Sequence, residues 1–227
     1  MNVTVSTHYQ GERGEKYLHQ RLDETALGGS EIEFSFFAPY FKNGDAVLDF
    51  GCGNGIMLRL MQNCVRREDG LEVNPAGAVL AERSGAKIYR ALDELPAATY
   101  DVIVTNHVLE HVREPVHTLE TLRRCLKPGG LLIVKVPIDD IHTSHQRAWD
   151  KADVDHHLWT WTPRLFANLL LESGYEVREC RVLTSAWHPK LLRFARTPLG
   201  GFLFWALSVL KKRRQVFAVA VAPHTRS

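Results

Sequence analysis

Cysteine is scarce in this chain and scattered. Its four copies, Cys52, Cys64, Cys125 and Cys180, include no C-x-x-C pair. That spacing argues against a cysteine zinc site and fits a reducing compartment. An excess of one charge is also missing: 28 Lys and Arg stand against 26 Asp and Glu, and a formal net charge of +2 gives no broad field for capturing nucleic acid. The opening residues, MNVTVSTHYQGERGEKYLHQR, lack an apolar stretch of signal-peptide length and carry acidic residues unsuited to a transit peptide. A cytoplasmic location is the expectation. Internal repeats and low-complexity tracts are lacking as well.

What is present suits a single domain. The chain has 227 residues, 45% hydrophobic and 24% charged, enough for a full core. Short apolar runs at Ala46–Phe50, Gly70–Val73, Val102–Thr105 and Leu131–Val136 read as buried strands. Helical patterns separate them, which predicts an α/β fold with a parallel sheet covered on both faces. Asn74-Pro75, Glu114-Pro115 and Thr162-Pro163 open helices, and Ser84-Gly85, the KPGG at 127–130 and Gly174 close them. On the middle helix Val116, Leu119, Leu122 and Leu126 share one face. Tyr175–Leu183 and Gln215–Ala222 predict two final strands forming an antiparallel edge pair. The predicted organisation is an extension over 1–44, a core over 45–183, an insertion over 184–214 and a last strand over 215–222.

The stretch VLDFGCGNG, Val47 to Gly55, carries the first functional signal. Its glycines at 51, 53 and 55 let the backbone turn tightly and approach a ligand without a Cβ in the way. Their spacing is not that of the dinucleotide loop, and no Lys-Ser or Lys-Thr follows as a phosphate-binding P-loop requires. Asp49, two residues before the turn, would repel a phosphate, so the nearby part of the ligand carries positive charge or hydrogen-bond donors. Glu72, at the end of the second strand, stands where a carboxylate accepts both ribose hydroxyls in nucleotide-binding α/β folds. The ligand these residues describe is a nucleoside with a cationic, phosphate-free end, and S-adenosylmethionine fits.

At these motifs the chain resembles the class I S-adenosylmethionine-dependent methyltransferases. VLDFGCGNG is similar to their first motif, GLEVNP (70–75) to their second, YDVIVTNHVLEHV (100–112) to their fourth and LKPGGLLIVKVP (126–137) to their fifth. The resemblance is nearest to small-molecule O-methyltransferases of the ubiquinone and glycan-modifying sort. It implies a Rossmann-like, mainly parallel seven-stranded sheet with an antiparallel last strand. It also implies that Asp49, Gly51, Cys52 and Gly53 meet the methionine end of the cofactor, Glu72 the ribose, and Val73, Leu92 and Asp93 the adenine. Asn106 falls at a position whose backbone contacts the methionine amine. Asp93 lies later than the family's usual aspartate, and Cys52 and Val73 also read as packing residues.

An oxygen acceptor must lose its proton, and histidine is the natural base near neutral pH. His107, His111, His142, His145, His156, His157 and His188 are available. His157, in DVDHHLWTWTP (153–163), matches a histidine common in related enzymes, and Asp155 is placed to orient a neighbour. The spacing of His107, Glu110 and His111 predicts one shared helical face, to which His156 or His157 adds a further ligand. This arrangement is similar to metal-dependent small-RNA 2'-O-methyltransferases. LEHV is also widespread in relatives without metal, so a divalent metal is admitted as a cofactor but not favoured.

The flanks set acceptor choice. Tyr9, Arg13, Tyr17 and Arg21 read equally as a lid over the cofactor or as a solvated helix. The run PLGGFLFWALSVLKKRR (198–214) is too short to span a bilayer, for which about 20 residues are needed. Packing on the edge strands or against a second copy of the chain is its first reading, and an interfacial membrane contact through Trp205 and the basic cluster the second. The expected partner is a small-molecule acceptor such as a sugar or lipid-linked intermediate. A basic groove with stacking aromatics, the mark of an RNA substrate, finds little support in the charge balance.

Overall fold

A computed structural model describes residues 6, 9, 11, 14–16, 27–139, 148–151, 153, 155–184, 197–210 and 213–224. Arg13, Tyr17, Arg21, His142, His145, His188, Lys211 and Lys212 lie outside the described residues.

Seven strands form one sheet: β1 (Ala46–Phe50), β2 (Arg67–Leu71), β3 (Lys87–Tyr89), β4 (Tyr100–Asn106), β5 (Leu126–Pro137), β6 (Glu176–Thr184) and β7 (Arg214–Val221). Their spatial order is β3-β2-β1-β4-β5-β7-β6. The first five pair in parallel, while β7 runs antiparallel to both β5 and β6. β7 is therefore the one reversed strand. The final two strands do pair antiparallel, but β7 is inserted inside the sheet and β6 forms its edge. Burial explains this: β7 carries an unbroken run of buried residues after Arg214, whereas β6 alternates and leaves one side exposed.

Alternate residues feed two apolar layers, one per sheet face. Leu48, Ile103, Leu132 and Val134 belong to one cluster, and Val47, Val102, Val104 and Ile133 to the other. The helices α1 (Leu27–Phe37), α2 (Ile56–Met61), α3 (Pro75–Glu82), α4 (Pro115–Cys125), α5 (Pro163–Glu172) and α6 (Pro198–Leu210) complete the described elements. Capping fixes α3 and α5 as their sequences predict. The Asn74 side chain accepts from the amides of Ala76 and Gly77, and the Thr162 hydroxyl from the amide of Leu165. On α4 the buried face is Thr118, Leu119, Leu122 and Cys125, with Val116 left exposed.

Two sequence expectations need correction. The second strand ends at Leu71, so Glu72 and Val73 sit just beyond it. HVLEH is not an α-helix: His107 has φ +56°, and only a single 3-10 turn forms, at Leu109–His111. In α6, Leu199, Phe202, Trp205 and Val209 are each more than half exposed, while the helix also touches the edge strand β6.

Strand order reverses at β1, whose neighbours are β2 on one side and β4 on the other. In open α/β sheets the crevice at the carboxyl ends of such strands receives the ligand. The loops after β1, β2, β4 and β5 all open at that edge.

Candidate active site

The turn after β1 is built on three glycines with positive φ: Gly51 at +81°, Gly53 at +54° and Gly55 at +75°. Two are held by neighbours. A Cβ on Gly51 would meet Val108 Cγ2 at 2.3 Å, and one on Gly55 would meet Ala81 Cα at 2.8 Å. A Cβ on Gly53 would meet nothing within 4 Å, so the loop presents bare backbone to open space on that side.

Two carboxylates flank this opening. Asp49 is 3% exposed on the central strand. Burial, with the Glu72 carboxylate adding to it, pushes its pKa up to about 7. Glu72 is anchored by the amide of Gly53 to Oε2 at 2.9 Å and the amide of Asn74 to Oε1 at 2.7 Å. Burial raises its pKa also, against the lowering effect of those amides. Each oxygen keeps a second lone pair for a ligand hydroxyl. Two mutually repelling carboxyls beside bare backbone suit a cation with hydroxyls and disfavour a diphosphate.

The other residues assigned to the cofactor fall in different settings. Cys52 is buried in the apolar layer with Val47 and Leu58, and burial together with Asp49 and Glu72 raises its thiol far above the usual range. Its side chain packs in that layer. Val73 packs against the opposite layer, to which Leu92 belongs, and Asp93 is exposed on the 3-10 turn Leu92–Glu94. Asn106 ends β4, and its Oδ1 is buried with no hydrogen-bond partner among the described residues.

Beyond Val108, which packs on the glycine loop, lies a cluster of imidazoles around Glu110. Glu110 is fully buried, and among the described residues neither of its oxygens has a hydrogen-bond partner. Burial raises its pKa, but His107, His111 and His157 outweigh it and hold the carboxyl below the usual range. Ligand atoms of Glu110, His111 and His157 lie within 4.8 Å of one another. His107 stands apart from that set. Its Nδ1 is 3.4 Å from Glu110 Oε1, and its Nε2 is 3.3 Å from the Gln215 side-chain nitrogen. His156 is exposed.

Each imidazole in the set is fixed by its other nitrogen. The Tyr9 hydroxyl lies 2.7 Å from His111 Nδ1 and also donates to the carbonyl of Asp155. Burial lowers the pKa of His111 to about 4, so the ring is neutral. His157 Nδ1 pairs with the Asp139 carboxylate. Burial lowers the pKa of His157, but Asp139, Glu110 and Asp155 more than reverse this and raise it. The carboxylate bound to His157 is thus Asp139, a residue the sequence reading did not single out. Backbone amides of Leu158 and Trp159 donate to the Glu110 carbonyl, and the Trp159 indole donates to the Val112 carbonyl at 2.7 Å, tying the 155–161 loop down.

The extension closes this side. The Asn74 amide group donates to the Tyr9 carbonyl at 3.1 Å, and the Ser6 amide to the His111 carbonyl at 3.3 Å. Tyr9 thus bridges the histidine cluster and Asn74 at the start of α3. Lys135, missed as a functional residue, is fully buried in β5 and paired with Glu33 of α1, and burial lowers its pKa to about 7. A lysine inside an apolar strand was its visible signal. For Asp139 the signal was a carboxylate just past the end of β5.

The fold is an open α/β sheet with a carboxylate-flanked glycine turn at its strand switch point. The methyltransferase-domain family matches residues 17–180, and the chain belongs to it, among the class I S-adenosylmethionine-dependent methyltransferases. The chain is 36% identical over 132 residues to the "Ubiquinone biosynthesis O-methyltransferase" of Cereibacter sphaeroides, a match covering 52% of this chain and 53% of that protein. It thus spans about half the length of the curated relatives it matches. A "SAM dependent methyltransferase" from Archaeoglobus fulgidus shares the fold with a TM-score of 0.63 at 16% identity, covering 91% of this chain and 99% of that one. An "S-adenosylmethionine dependent methyltransferase" from Mesorhizobium loti gives 0.57 at 18%, over 79% and 91%.

Proposed function

We propose that the chain is an enzyme that transfers the methyl group of S-adenosylmethionine to an oxygen of a small molecule. One observation carries the donor: the buried Asp49 and the anchored Glu72 flank the open approach to Gly53 at the strand switch point. Asp49 takes the ammonium end and Glu72 the ribose hydroxyls, with Asn106 on the same edge. The acceptor oxygen sits at the Glu110, His111 and His157 cluster, which Val108 links to the glycine loop. Transfer from a sulfonium is an in-line displacement, so aligning the two ends in a dry pocket supplies much of the acceleration. The name of the Cereibacter relative supports an oxygen on a small molecule as acceptor. The scattered thiols support a cytoplasmic setting, and among the described residues no helix is long and apolar enough to cross a membrane.

The test is calorimetry with S-adenosylhomocysteine, followed by a screen of hydroxylated acceptors with labelled cofactor. Asp49→Ala and Glu72→Ala should each weaken binding at least about 30-fold, the loss expected when one member of a buried polar pairing is removed. Unchanged affinity in both folded variants would refute the assignment.

A further inference from the structure

We propose that Glu110, His111 and His157 form a binding site for one divalent first-row metal ion, with coordination positions left open for the acceptor oxygen. Three independent features point to it. The first is Glu110, a carboxylate with no exposed surface and two oxygens lacking any hydrogen-bond partner among the described residues. The imidazoles of His107 and His111 approach one of these oxygens to 3.4 and 3.8 Å, and a cation held between the carboxylate and the imidazoles would satisfy it directly. The second is distance: the three ligand atoms gather within 4.8 Å, the scale of a shared ion. Two imidazoles and one carboxylate leave room for substrate or water, the ligand pattern of open catalytic metal sites.

The third feature is the outer ring of contacts. Metal-bound imidazoles use one nitrogen for the ion and commit the other to a carboxylate, carbonyl or similar partner, which fixes ring orientation. Both histidines here are arranged in that way. His157 commits Nδ1 to Asp139 and His111 commits Nδ1 to the Tyr9 hydroxyl, leaving each Nε2 for the shared centre. His111 Nε2 is 3.8 Å from Glu110 Oε1, as two ligands of one ion would be. His107 does not join. Its Nδ1 approaches Glu110 Oε1 to 3.4 Å while its Nε2 meets Gln215, and it lies outside the cluster that His157 completes, so the set differs from the His107, Glu110, His111 face that spacing alone suggests.

The ion's role rests on the methyl-transfer reading above, whereas its binding does not. It polarises the acceptor hydroxyl, whose proton leaves to water. The freed oxygen forms a bond to the methyl carbon as the carbon–sulfur bond breaks, which releases S-adenosylhomocysteine. His157 then serves as a ligand rather than as a free base. An acceptor with two neighbouring hydroxyls can fill two open positions at once, and this is the substrate class the site favours.

Chain stripped with a chelator and titrated with Zn²⁺ by calorimetry, and with Co²⁺ by absorption, should take up one ion. Glu110→Gln and His157→Ala should each lower that affinity at least about 100-fold, and Asp139→Asn about 10-fold or more, while the exposed neighbour variant His156→Ala leaves it unchanged. If Glu110→Gln fails to fold, the two loop variants carry the test. S-adenosylhomocysteine affinity is measured on every variant. Loss of metal with that affinity retained supports the site. A stripped chain that binds S-adenosylhomocysteine yet takes up no ion overturns it, as does uptake that survives both ligand substitutions. Uptake without S-adenosylhomocysteine binding upholds the metal site and refutes the methyl-donor reading.

Discussion

Asp49 shows how a functional side chain can work against the fold that holds it. Its ordinary pKa of 3.8 rises to about 7 in the folded chain, so the folded state keeps a proton that the unfolded state releases. The stability this provides is complete below about pH 4 and is lost as pH rises through about 7. Asp49→Asn should therefore stabilise the ligand-free chain at pH 8 by on the order of 1–3 kcal/mol, measured by denaturant unfolding. A cationic amine favours the ionised form, so S-adenosylhomocysteine affinity should climb as pH rises from 6 to 8 in the native protein and stay flat in Asp49→Asn. Lys135 poses the opposite case. It is fully buried with Glu33 as its partner, and Glu33→Ala strands the ammonium. A loss of about 3 kcal/mol is expected, largely recovered when Lys135→Met is added, because an apolar replacement of the whole pair removes the unmet charge.

At the scale of elements, patterns of period two and the capping residues were legible because they are local. The β1 run, the Asn74 and Thr162 caps and the glycine turn all stand where the sequence places them. What escaped depends on partners distant in the chain. The Tyr9 contact with His111 spans 102 positions, and no spacing rule announces it. The HVLEH stretch matched a helical face, but His107 takes a positive φ and only Leu109–His111 forms a turn, so His107 reaches Glu110 at 3.4 Å without sharing a helix with it. The place of β7 between β5 and β6 follows from its two-sided burial, a property of the assembled sheet. α6 was read first as packed on the edge strands or on a second copy of the chain, and it does touch β6, but its Leu199, Phe202, Trp205 and Val209 stripe faces solvent. Replacing Phe202 and Trp205 with Ser should accordingly change stability by less than about 0.5 kcal/mol per site, as for other exposed positions. A large drop in the unfolding midpoint would show that the stripe is covered in solution.

Taken as a whole, the molecule joins two half-sites through one short segment. Val108 packs on the glycine loop, and Glu110 and His111, close after it, meet the 155–161 loop and Tyr9 of the extension. Filling the donor half should therefore stiffen the entire carboxyl edge of the sheet and raise global stability by mass action. At one hundred times the dissociation constant, S-adenosylhomocysteine adds about 2.7 kcal/mol. For a chain of this length that corresponds to a rise of about 5–10 °C in the unfolding midpoint. NADH, whose diphosphate meets the Asp49 and Glu72 carboxyls instead of a cluster of free amides, should give no shift at the same concentration. Asp49→Ala should cut the shift with S-adenosylhomocysteine to about a third or less, while leaving the ligand-free midpoint unchanged or higher. A comparable shift with NADH would mean that the glycine loop accepts phosphate after all, and the donor assignment would fall with it.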